Sequence, residues 1–88
     1  MVLNKSERQK KAMTEVKVKL DSVDKVKRFE NIVRGTTAEM DLGRGRYMVD
    51  AKSIMGIFSL DLSAPLTLKI YDEENAFDLD LIKEFIVK

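Results

Sequence analysis

Three groups of residues in this 88-residue chain have types and spacings that bear on chemistry. The first is K-S-I-M-G-I-F-S-L at 52–60, where Lys52 and Ser53 stand ahead of five large apolar side chains set around Gly56. Ser53 occupies an N-cap position, where its hydroxyl can accept from an otherwise unpaired backbone N–H at the start of a short helix. The same oxygen is a candidate phosphorylation site, because a phosphate of about −1.5 to −2 charges would face the positive end of the helix dipole. The apolar residues cannot all point inward: Ile57 and Leu60 fall on one face at i, i+3, and Ile54 and Phe58 on another at i, i+4, with Met55 between. One set is expected as wall. The other is either further core or a docking surface, a use that suits the flexible, polarizable thioether of Met55.

The second group, L-G-R-G-R-Y at 42–47, places Arg44 and Arg46 beside Gly43 and Gly45. A phosphate cradle would need a strand-to-helix context that does not follow here. The expectation is a tight hairpin in which both glycines supply a positive φ. In the third group, Asp21, Ser22 and Asp24 precede a helical stripe, but no acidic metal cluster surrounds them for acyl-phosphate chemistry.

The chain has no histidine and no cysteine. Imidazole acid–base catalysis, Ser/His triads, phosphohistidine formation, disulfides and thiolate metal sites are excluded by content alone. No cofactor or metal site is expected. The net charge of +1 argues against nucleic acid or an anionic membrane as the main partner. The charge is uneven, however: residues 1–28 hold nine basic against four acidic side chains, and residues 72–88 two against six. This reads as a solvated basic arm and an acidic last helix. The first twenty residues show no secretory pattern, so cytoplasmic residence is the expectation.

The elements that must position these groups follow from periodicity. Residues 1–12 lack an apolar period and read as a basic arm ahead of one domain at 13–88. Val16, Val18 and Leu20 alternate with lysines, and the same one-sided rhythm recurs at Ala38–Met40–Leu42, Tyr47–Val49–Ala51 and Leu66–Leu68–Ile70. Four such strands predict one antiparallel sheet with a greasy and a wet face. Val26, Phe29 and Val33 predict a helix between the first two strands, capped by Asp21 or Ser22 and closed by Gly35. In the last segment Phe77, Leu79 and Leu81 alternate as in a strand, whereas Phe77, Leu81 and Phe85 fall at helical spacing with Ile82 and Ile86 beside them. Its length and acidic first turn favour helix. The prediction is an α+β, open-faced two-layer sandwich in βαββαβα order, with three helices on one face of a four-stranded antiparallel sheet.

The segment D-A-K-S-I-M-G-I-F-S-L at 50–60 resembles the regulatory-serine motif of HPr, the phosphocarrier of the bacterial sugar phosphotransferase system. Asp72, Glu73 and Ala76 are similar to that family's D-E-x-x-A helix start, and the resemblance runs over residues 14–87. It implies the open-faced fold, a kinase target at Ser53, and partner contacts through Ile54, Met55 and Phe58. Lys52, with Arg44 or Arg46 nearby, is the expected charged surround. The family's active motif G-[I/L/V]-H-A-R-P is not kept: ungapped counting from Ser53 puts Ser22 at the histidine and Asp24 at the arginine. Asp50 and Asp61 also replace the family's usual asparagine and glycine.

The pattern resembles the catabolite-repression HPr proteins, which lack the histidine, keep the serine and act as ligands of a transcriptional regulator. The expectation is therefore a non-catalytic regulatory protein, monomeric or homodimeric. Its partner would be a kinase, a transcriptional regulator or a phosphotransferase-system component, and Ser53 its switch. The alternative is an interaction module of the same fold with no phosphorylation.

Overall fold

The computed structural model describes residues 13–72 and 77–87. The basic arm at 1–12, and Glu73 and Ala76 of the expected helix start, lie outside the described residues. The elements run β1 (Met13–Val18), α1 (Val23–Arg34), β2 (Glu39–Arg44), β3 (Tyr47–Asp50), α2 (Ile54–Phe58), β4 (Leu66–Tyr71) and a closing 3-10 helix (Leu79–Phe85). The strands form one antiparallel sheet in the order β1-β4-β2-β3.

Register turns the two-residue alternation into two different faces. Val16, Leu68, Leu42 and Val49 are cross-strand neighbours on the helix side, as are Ile70 and Met40. One residue along, Glu15, Lys69, Asp41 and Asp50 form a charged row on the open side. The helices pack where the apolar row is. Val26, Phe29 and Val33 of α1 are fully buried, and Ile82 and Phe85 meet them from the closing helix. Phe29 and Phe85 stand edge to face with centroids 5.6 Å apart, a geometry that adds about 0.5–1.5 kcal/mol to their burial. Glu30 is also buried, at 2% exposure, and its carboxylate accepts from Arg34 Nε at 2.8 Å one turn on.

Two expectations are corrected. The last segment is a 3-10 helix, not an α-helix, so its inward stripe falls every third residue, at half-buried Leu79 and at buried Ile82 and Phe85. Leu81, expected on the stripe, is 55% exposed. In the hairpin, only Gly45 has a positive φ, at 60°. Gly43 lies within β2 and is needed for another reason: a Cβ there would sit 2.0 Å from the Tyr47 carbonyl oxygen.

Beyond β1 the chain seals the sheet edge. Lys19 N–H donates to the Phe85 carbonyl at 2.8 Å, and Val87 N–H donates to that of Lys17 at 2.9 Å. The closing helix is thereby fixed to the sheet edge, while Phe85 and Glu84 hold it against α1 through Phe29 and Arg28.

Candidate functional site

Ser53 caps α2 in an extended conformation, and its Oγ accepts from Gly56 N–H at 3.1 Å. The turn that delivers it is held from both sides. Asp50 Oδ1 accepts from Lys52 N–H at 2.9 Å, and the Asp50 carbonyl accepts from Ser53 N–H at 3.0 Å. Ser53 itself is exposed. Lys52 is turned elsewhere: its Nζ donates to the Thr36 carbonyl at 2.7 Å, tying the head of α2 to the α1–β2 connection. Lys52 thus anchors the turn instead of standing as a free charge beside Ser53. Arg44 is likewise engaged, donating to the Asp61 and Ala64 carbonyls at 3.1 and 3.3 Å and so holding the chain that leaves α2.

The faces of α2 separate sharply. Ile57 is fully buried and Leu60 nearly so, which fixes the helix to the core. Met55 is 78% exposed and Phe58 40%. Ile54 is half-buried and lines a groove of about 420 Å³ against α1, together with Lys27, Glu30 and Arg34. The far end is braced by Ser59, whose Oγ donates to the Gly56 carbonyl at 2.6 Å and lies 2.9 Å from the Tyr47 hydroxyl. The result is a firmly held single turn presenting a thioether and a phenyl ring to water.

The head of α1 is built differently. Ser22 is the N-cap, and its Oγ accepts from Lys25 N–H at 3.1 Å. Asp24, where the resemblance calls for an arginine, accepts from Arg28 Nε at 2.9 Å. Arg28 also pairs with Glu84 of the closing helix. Asp21 pairs with Lys25 at 2.9 Å, and that bond holds its carboxyl below the ordinary value. Among the described residues no three His, Cys, Asp or Glu side chains are grouped to hold a metal, and no helix is long and apolar enough to cross a membrane.

Reading by motif missed the Thr36 carbonyl that takes Lys52 and the Glu84 that takes Arg28. Neither had a sequence signal, since the partners are 16 and 56 residues apart. The Asp24–Arg28 pair did have one, in its i, i+4 spacing.

No protein-family profile matches the chain, and no curated protein matches it. Among solved structures it is similar to HPr-C-His from Thermoanaerobacter tengcongensis, with a TM-score of 0.57 and 23% identity over 82% of this chain and 83% of that one. The one-sided four-stranded antiparallel sheet with its three helices is thus an HPr-like fold.

Proposed function

We propose that this chain is a non-catalytic, HPr-like regulatory protein, related to the bacterial sugar phosphotransferase system, that binds protein partners through α2 and is switched at Ser53. The observation that carries this reading is the exposure of Met55 and Phe58 on a helix whose other face, at Ile57, is completely buried. Solvent-facing apolar side chains on a rigid mount suit recognition, because little conformational entropy is lost when a partner covers them. Phosphorelay is not part of the proposal. A relay needs an imidazole, and this chain has none; the two positions that answer to the family's catalytic pair hold a capping serine and an aspartate paired with Arg28.

In this reading the partners are an HPr-type kinase and a transcriptional regulator or phosphotransferase component in the cytoplasm. The test is incubation with an HPr kinase and ATP, followed by mass spectrometry. One added phosphate is expected on the wild type and none on Ser53→Ala. Equal labelling of both, or of neither, removes the switch.

One observation favours a second reading, an interaction module without phosphorylation. The Asp50 carboxylate borders Ser53 through the turn, and the Lys52 ammonium that would offset a phosphate is committed to Thr36. Under this alternative, partner binding weakens on Ile54→Asp or Phe58→Asp and is indifferent to Ser53→Asp.

A further inference from the structure

Four of the five methionines lie among the described residues, and their shelter differs widely. Met40 faces the core from β2 at 1% exposure. Met48 is half-buried on the open side of the sheet, its sulfur lying over Gly43. Met13 is 49% exposed at the start of β1, and Met55 is 78% exposed, the highest fraction among the exposed large hydrophobic side chains described. Thioether oxidation follows access to the sulfur, so these four should differ in rate within one folded chain. Met55 is also the methionine that belongs to an apolar cluster on the surface, with Ile54 before it and Phe58 one turn on.

We propose that Met55 is a hydroperoxide-sensitive modification site, and that its conversion to the sulfoxide turns the α2 face from apolar to polar independently of Ser53. The consequence for partners rests on reading α2 as a docking face; the chemistry does not. A sulfur lone pair attacks one peroxide oxygen, the O–O bond breaks and an S–O bond forms. The departing oxygen keeps the electron pair and takes up the peroxide proton, leaving as water or an alcohol. Sulfur loses two electrons and the peroxide gains two. A thiol-dependent sulfoxide reductase returns the thioether.

The fold permits this without damage. α2 is held by the buried Ile57, by the Ser53 cap and by the bonds of Ser59 to the Met55 and Gly56 carbonyls. None of these uses the Met55 thioether. Oxidation of Met40 would instead place a polar sulfoxide in the core, and requires the chain to open first.

The test uses the full chain, graded hydrogen peroxide and peptide mass spectrometry, with a naphthalene sulfonate dye to report exposed apolar surface. Met55 sulfoxide is expected to form on the order of tenfold faster than Met40 sulfoxide in the folded chain, the difference vanishing in urea. Dye fluorescence should fall as Met55 sulfoxide accumulates, with circular dichroism unchanged, and Met55→Leu should keep its dye signal after peroxide. Oxidation of Met40 or Met48 as fast as Met55, or full Met55 oxidation with undiminished dye binding, overturns the proposal. If Phe58→Asp leaves kinase labelling intact while oxidation and dye loss proceed as expected, α2 is not the kinase's contact and the modification site stands.

Discussion

The guanidinium carbon of Arg28 lies 5.5 Å from the centroid of the Phe85 ring, while its nitrogens reach Asp24 on α1 and Glu84 on the closing helix. One cation therefore joins the head of α1 to the last element of the fold. The bond to Asp24 and the nearby Glu84 charge keep the guanidinium protonated above its already high ordinary value. An arrangement of this kind binds structure together and leaves Asp24 engaged.

Removing the ring should cost far more than removing the cation. Phe85→Ala is expected to destabilise the chain by about 3–5 kcal/mol in urea unfolding, as for other buried aromatic truncations. Arg28→Ala should lower the midpoint by less, and the double variant should fall short of the sum, because the two side chains act on each other. Strict additivity would show that the stacking contributes nothing.

The two hairpin glycines should respond differently to alanine. At Gly45 a Cβ meets open space, so the penalty is the positive φ alone, about 1 kcal/mol. At Gly43 it would collide with the Tyr47 backbone, and the cost should be on the order of 3 kcal/mol, as for an overpacked core. Equal melting temperatures for the two variants would contradict the close approach.

Ser53 can be tested for its capping role separately from any phosphate. Ser53→Ala should lose about 1 kcal/mol of stability, and Ser53→Asp only a few tenths, because aspartate caps as well as serine. Thermal melts of the unphosphorylated proteins check this. Ser22→Ala should show the same loss at α1, with no change in kinase labelling.

Acid should weaken the fold modestly through two exposed carboxylates. Asp21 is held below its ordinary value of 3.8 by Lys25, and Asp61 by the Ser63 hydroxyl and N–H. A depressed folded-state pKa stabilises above the unfolded value and is lost as pH falls through the folded one. Stability should therefore decline below about pH 4, and Asp21→Asn or Asp61→Asn should each flatten that decline. With no imidazole in the chain, stability should stay nearly level from about pH 5 to 8. A transition near neutral pH would contradict this account.

The fold was legible because its signals are local. A period of two in Val16–Val18, Met40–Leu42 and Leu66–Leu68–Ile70, and helical spacing in Val26–Phe29–Val33, specify which side of each element is greasy. The closing helix misled because Phe77, Leu79, Leu81, Ile82 and Phe85 satisfy several periods at once. Its end is bonded back to β1 and the residue after it, through Phe85 to Lys19 and Val87 to Lys17, contacts that no local period reveals.

The sequence by itself determined the one-sided sheet, the apolar run at 54–60, the Ser53 cap and the absence of any imidazole to carry a phosphoryl group. Only the tertiary structure decided that Met55 and Phe58 meet water while Ile57 does not, that Lys52 is spent on Thr36, and that Arg28 bridges Asp24 to Glu84. The physical reason is range. Periodicity describes how a side chain is oriented about its own element, whereas exposure and charge pairing depend on what a distant stretch of chain brings against it.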